Sequence, residues 1–359
     1  MPEANNNFDK ELELEENKVE NDEGEYPLPP ENVYSYTETR SCSDIYRMLH
    51  NELCRTPNFQ RYDVWDMPQK TRFLDSLLKR LPIPSLCFSV DANDSYMVID
   101  GRQRTGVIEE FLSEEKSELR LSLLDDVDTR LSGKTLGEIQ NDNPEVYRAI
   151  RNLTIPINVI KCDYTRDDNL NYIYKIFQRL NTGGLKLSNQ EIRNCVYYGS
   201  FVKLINECNE NKNWIEWVEK LAHDKRMKGP ERVLLFFCMY YSIEEYENKL
   251  SSFLSTFLLK HKNEPDEWIN KQRELFIKTI GIAKRISLKS IRNVYIDAIL
   301  YGIGKNIDNC SKKTNIELQK LYENLLADNA FLPEKLKDGT SNKNRLLERY
   351  NAAKRIFGK

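Results

Sequence analysis

The sequence predicts an α+β protein, in which a small mixed α/β unit precedes a predominantly α-helical one. Three observations carry this prediction. Two β-favouring runs, LCFSV at 86–90 and YMVI at 96–99, flank the turn-forming DANDS at 91–95 and read as a hairpin. A third run, TIPINVIKC at 154–162, supplies another strand. Beyond residue 165 the apolar spacing becomes helical and stays so.

The elements follow in order. Residues 1–25 hold ten acidic side chains against Lys10 and Lys18, a net −8, which leaves +5 on the rest of a chain whose net charge is −3. So acidic and aromatic-poor a lead buries too little surface to offset its ordering entropy. With the proline-punctuated YPLPPENV it forms a disordered tail and linker over 1–33, acting as a solubilising segment or as a nucleic-acid-mimicking arm. A helix is expected over 44–55, with Ser43 as cap and Ile45, Met48, Leu49 and Leu53 on one face. Another over 69–81 opens at Pro68, buries Phe73, Leu74, Leu77, Leu78 and Leu81, and is stopped by Pro82 and Pro84.

After the hairpin, 101–112 is helical, 113–152 is polar with no element assigned, and Pro156 argues that the third strand lies at a sheet edge or a bulge. These elements make up a first domain over 34–165. In the second, 166–359, Thr165 with Asp168 reads as a capping box for a helix to residue 180, and Ser188 with Glu191 as a box for the next. Gly229 and Pro230 start the apolar VLLFFCMYY, a central helix, and further helices fit 245–261, 266–288, 290–304, 315–327 and 342–357. No fixed-period repeat suggests a solenoid.

Composition excludes several classes of function. The 359 residues are 40% hydrophobic and 30% charged, no run is apolar enough to span a membrane, and the N-terminus has no basic start or apolar centre, so a cytoplasmic chain without a membrane partner is expected. The eight cysteines come no closer than 12 positions and the three histidines, His50, His223 and His261, lack ligand spacing, which argues against a zinc site. Histidine poverty also removes the usual general base.

Three stretches could carry chemistry. In VIDGRQR (98–104) a strand ends in Asp100, a glycine follows, and Arg102 and Arg104 stand in the first turn of a helix. A cation there opposes the helix dipole at a cost of about 0.3–1 kcal/mol. A bound phosphate would reverse that sign, because free helical N–H groups and two guanidiniums would converge on it while Asp100 held magnesium or a water. The alternative makes Asp100 an N-cap and the arginines solvated. In IFQRLNTGGLKLSNQEIRN (176–194), Asn181, Thr182, Gly183 and Gly184 form a glycine turn that either approaches a ligand or simply ends a helix. No P-loop or GxGxxG spacing occurs. In FQRYDVW (59–65) the aromatics suit a core, and packing does not explain Arg61. Basic clusters at 223–232 and over Arg345, Arg349, Lys354 and Arg355 read as solvated faces or as a nucleic-acid surface.

Taken in order, FQRYDVWDMPQKTRFLDSLLKRLPIP, VIDGRQRTGVIEEFL and IFQRLNTGGLKLSNQEIRN resemble the hallmark segments of the domain of unknown function 262 family, the N-terminal domain of GmrSD-type modification-dependent restriction systems. The resemblance covers about 40–250. It implies a ParB/sulfiredoxin-like fold whose DGQQR segment binds and hydrolyses a nucleoside triphosphate, coupled to DNA restriction and phage defence. Asp100, Gly101, Gln103 and Arg104 match that segment, with Arg102 in place of its first glutamine; Gln60, Arg61 and Trp65 match a Q-R-x-x-x-W segment; and Asn181, Gly183 and Gly184 match an N-T-G-G turn. Thr105, Gly106 and Val107 replace the usual L-T-T, which displaces two hydroxyls.

The implied cofactors are Mg2+ and a nucleoside triphosphate. Asp100 and Arg104 are the expected catalytic residues, with Asp100 on the metal, and Gln60, Arg61, Gly101, Arg102, Gln103, Asn181, Thr182, Gly183 and Gly184 the expected nucleotide contacts. The expected alternative is a non-catalytic DNA-binding or regulatory module that works with a separately encoded nuclease; a nuclease within the fold itself ranks third. No His-Asn-His nuclease motif is present. A homo-oligomer is compatible with the chain.

Overall fold

A computed structural model describes residues 29–51, 53–55, 65–91, 93–180, 188–218, 228–288, 293–336 and 341–359. The acidic tail, Gln60, Arg61, Asn181, Thr182, Gly183 and Gly184 lie outside the described residues. The chain divides into two compact units between Lys186 and Leu187.

The first unit is built on a five-stranded mixed sheet of order β1-β5-β3-β4-β2, formed by β1 (Tyr34–Ser41), β2 (Cys54–Arg55), β3 (Leu86–Val90), β4 (Tyr96–Asp100) and β5 (Thr154–Lys161). β3 and β4 form the expected antiparallel hairpin, and β5 runs parallel to β3 and antiparallel to β1. β5 is therefore internal, contrary to the expectation from Pro156. The proline is tolerated because the ladder with β3 begins only at Ile157, so position 156 has a neighbour on the β1 side alone.

One face of the sheet buries Leu86, Phe88, Val90, Val98, Ile155, Ile157 and Val159 against helices. Of these, α1 (Cys42–His50) begins earlier than expected: Ser41, not Ser43, is its cap, accepting from the Asp44 N–H at 3.0 Å while the Asp44 carboxylate returns to the Ser41 N–H. Ending at His50, it leaves Leu53 outside the helix and 54% exposed. α2 (Met67–Leu78) is likewise opened by a box, Asp66 with Gln69, which puts Pro68 inside the first turn. The chain leaves α2 through Arg80 at φ 54°, so Leu81 turns outward instead of continuing the apolar face.

α3 (Arg102–Leu112), α4 (Leu136–Asp142) and α5 (Pro144–Asn152) complete that side. α4 and α5 occupy the stretch to which no element was assigned. Their signals were the Thr135–Glu138 capping box and Pro144 in a first turn, and they bury Leu136, Ile139, Val146 and Ile150. On the opposite face α6 (Asp167–Leu180) packs against β4, burying Leu170, Ile173 and Phe177. The box expected from Thr165 and Asp168 does not form. Thr165 bonds Asp163 instead, and Asp168 accepts from Arg166.

In the second unit the described residues form α7 (Asn189–Val196), α8 (Ser200–Asn209), α9 (Lys212–Val218), α10 (Lys228–Ser242), α11 (Leu250–His261), α12 (Asp266–Ala283), α13 (Asn293–Lys305), α14 (Ile307–Ser311), α15 (Asn315–Leu326) and α16 (Lys343–Phe357). The Ser188–Glu191 box opens α7 as the sequence implied. α10 is central: every residue from Gly229 to Met239 is buried, and the helix packs on α8, α11 and α13. The helix expected from residue 245 starts at Leu250, because Asn248 at φ 64° interrupts the chain before it. No helix among the described residues is long and apolar enough to cross a membrane.

Candidate functional site

The candidate site is the junction of β4 and α3, and a bulge creates it. Phe88 faces Val98, but the next partner of Cys87 is Asp100, so β4 carries one extra residue at Ile99. Val98 and Ile99 are both buried, whereas the Asp100 side chain emerges 49% exposed at the strand end. Gly101 follows at φ 95°, and a Cβ there would lie 2.2 Å from Cδ2 of Leu86. Both the conformation and the space demand glycine. Gly101 is also the N-cap of α3 and has no side chain to cap it, so Asp100 is not the cap. The N-cap residue of this eleven-residue helix therefore supplies no side-chain cap to its first turn.

Each motif residue has a distinct local role. Arg104 turns inward: its guanidinium donates to Asp100 Oδ2 at 2.8 Å and to the main-chain carbonyls of Pro84 and Ser85, and its side chain is only 12% exposed. Burial pulls its pKa down and the Asp100 carboxylate opposes that shift. Gln103 accepts the Trp65 N–H at 3.2 Å, which joins the DGRQR segment to the tryptophan of the earlier motif. The ring of Trp65 meets Phe73 edge-on at 5.5 Å. Thr105 is fully buried and its hydroxyl donates to the Arg102 carbonyl, so that hydroxyl serves the helix. Arg102 is half-buried in the first turn of α3.

The structure thus brings Asp100, Gly101, Arg102, Gln103 and Arg104 together. It adds Pro84, Ser85 and Leu86, which sequence reasoning missed as site neighbours, and joins to the site Trp65 of the Q-R-x-x-x-W segment. Main-chain carbonyls at 84 and 85 leave no side-chain signature; the glycine-demanding contact of Leu86 becomes visible only once the hairpin is folded. Among the described residues no group of three His, Cys, Asp or Glu side chains could hold a metal unaided. A magnesium ion commonly keeps its waters and takes one carboxylate plus phosphate oxygens, and the exposed Asp100 carboxylate is an oxygen donor of that type.

The third motif ends in a buried network inside the second unit. Arg193 is fully buried and donates to Ser251 Oγ at 2.7 Å, to Ser255 Oγ at 3.1 Å and to Gln190 Oε1 at 3.2 Å, with Glu231 at 3.5 Å. Arg232 pairs with Asp297 at 2.9 Å and with Glu231 at 3.4 Å. Arg232 and Arg349 are 1% and 2% exposed, so neither belongs to a solvated basic face. Arg355 reaches solvent but pairs with Asp328 at 2.6 Å.

With this geometry in view, the comparison with known families is decisive: residues 42–198 match the family described as GmrSD restriction endonuclease, N-terminal domain. This segment belongs to the GmrSD N-terminal family. No curated protein and no solved structure matches the chain. The GmrSD segment runs from the first residue of α1 to just past α7, so it takes in the β4–α3 junction and the Arg193 helix and leaves out β1. A segment of this family suggests a member of a restriction or phage-defence system.

Proposed function

We propose that the β4–α3 junction binds the phosphates of a nucleoside triphosphate together with magnesium, as the nucleotide-responsive part of a restriction-type defence system. The observation that carries this reading is the uncapped N-terminus of α3, presented at the end of a bulged strand beside the exposed Asp100 carboxylate. The N–H groups and positive dipole end at a helix start attract phosphate oxygens. Arg102 adds a cation in the same turn, and Asp100 offers an oxygen to magnesium or to a water. Arg104 acts as a positioning residue, because it fixes Asp100 and the loop before β3. Turnover at this site would be attack of water on the γ-phosphorus with the nucleoside diphosphate as leaving group, and a magnesium ion held by Asp100 would supply charge neutralisation at the phosphate oxygens.

The test is a magnesium-dependent binding and hydrolysis screen of the four ribonucleoside triphosphates, with and without DNA, on the wild type and on Asp100→Ala and Arg102→Ala. Binding of at least one nucleotide that both substitutions weaken about tenfold or more supports the proposal, since charge-assisted hydrogen bonds contribute roughly 1.5–3 kcal/mol each. Absence of calorimetric binding with every nucleotide overturns it.

A further inference from the structure

β1 is a sheet edge of a kind that proteins usually protect. Natural edges are kept short, bulged, or interrupted by lysine or proline, because unpaired N–H and C=O groups form a template for another strand. The opposite edge, β2, obeys this rule with two residues. β1 does not: it runs for eight residues in unbroken register with β5, from Tyr34 opposite Lys161 to Ser41 opposite Thr154. Its sequence YSYTETRS contains no lysine and no proline, and Tyr and Thr are strong strand formers. Among the described residues no strand pairs with its outer side, and Tyr34 and Tyr36 stand 55% and 38% exposed. β1 also precedes the family segment that begins at Cys42.

We propose that β1 pairs antiparallel with β1 of a second copy of this chain about a two-fold axis at Thr37, joining two five-stranded sheets edge to edge. A two-fold pairing places residues of the same face opposite one another, which leaves two centres that overlap seven residues, Thr37 and Glu38. Centring on Glu38 sets that carboxylate against its own copy, and like charges directly opposite are destabilising. Centring on Tyr36 or on Thr39 overlaps only five residues, 34–38 or 37–41. Centring on Thr37 pairs residues 34–40: Thr37 meets itself, Ser35 meets Thr39, Tyr36 meets Glu38, and Tyr34 meets Arg40. Arg40 already lies over the Tyr96 ring, 5.5 Å from its centroid, and a second ring on its other side extends that cation–π contact.

Cysteine scanning tests both the surface and the register. All eight native cysteines are buried, so a new thiol on β1 is the exposed one. Opposite residues of an antiparallel pair have Cα atoms about 4.5–5.5 Å apart, within the roughly 4.4–6.8 Å a disulfide accepts. Thr37→Cys should therefore give a covalent dimer under mild oxidation. Thr39→Cys, whose copies would lie about 13 Å apart, should not. Sedimentation should show a dimer for wild type and Thr37→Val and a monomer for Thr37→Lys, with the circular dichroism spectrum unchanged. A monomeric wild type at its highest soluble concentration, equal crosslinking at 37 and 39, or a dimer that survives Thr37→Lys overturns the proposal.

Discussion

Arg104 Nη2 lies 2.8 Å from Asp100 Oδ2, one helical turn away across Gly101, and the same guanidinium reaches the carbonyls of Pro84 and Ser85. One side chain thereby ties together the end of β4, the start of α3 and the entry to β3. This accounts for half of the electrostatic oddity in the sequence. A cation in a first helical turn costs about 0.3–1 kcal/mol against the dipole, while hydrogen bonds made by a charged group contribute about 1.5–3 kcal/mol each. The brace outweighs the dipole.

Arg104→Ala is expected to lower stability by about 1–3 kcal/mol, since it removes a charged donor from the Ser85 and Pro84 carbonyls and releases Asp100. Arg104→Lys should recover less than half of that loss, because an ammonium lacks the planar fork that serves several acceptors at once. Urea unfolding midpoints measure both. A stability loss under about 0.5 kcal/mol for the alanine variant, the range of an ordinary surface substitution, would contradict the assigned bonds.

Gly101→Ala should be at least as damaging, although it adds a single methyl group. The added Cβ meets Leu86 Cδ2 at 2.2 Å and the residue is held at φ 95°. Strain at such a dihedral costs on the order of 1–3 kcal/mol, and overpacking against fully buried Leu86 adds a similar amount. Thermal unfolding should show a fall of about 5–10 °C if the total is near 3 kcal/mol in a unit of this size. The loss should persist without any nucleotide, which separates it from an effect on ligand binding.

The hairpin, the α3 helix and the apolar α10 were legible because each bears its period or turn chemistry locally. β1 was not, since both of its faces are largely solvated and no apolar alternation marks it. Pro156 misled for a related reason: sequence shows that a residue cannot donate to a ladder, not where the neighbouring strand begins. At the site, residues 100–104 announced themselves by charge at a helix start, but their division of labour did not. That Arg104 faces inward depends on Pro84 and Ser85, nearly twenty positions away, meeting it only when β3 and β4 pair.

Lys70 and Glu110 give a test of the packing between α2 and α3. Lys70 Nζ lies 2.9 Å from each Glu110 oxygen, with the lysine side chain 9% and the glutamate 22% exposed. Lys70→Met removes a charged donor from the partly buried Glu110 carboxylate and should cost about 1.5–3 kcal/mol. The double variant Lys70→Met, Glu110→Leu should regain most of that cost, because replacing both members of such a pair with apolar groups is often neutral. A double-mutant cycle on chemical denaturation reads the coupling, and additive losses would mean that the pair contributes nothing specific.

Acid sensitivity should concentrate at Asp128. Hydrogen bonds from the Arg130 guanidinium, chiefly, and from the Arg130 N–H hold its carboxyl down at about 2, against some opposition from burial. A folded-state pKa below the unfolded value means that the native state binds the proton less readily. The contribution to stability is therefore complete above the ordinary carboxylate value of about 4 and disappears as pH falls through about 2. Asp128→Asn should make the protein less stable at neutral pH and flatten the decline in unfolding midpoint between about pH 4 and pH 2. The amide still offers an oxygen to the Arg130 N–H, so the loop geometry survives and the change reports the charge. Wild-type and Asp128→Asn curves that run parallel through that window would show that Asp128 and Arg130 are not paired in solution.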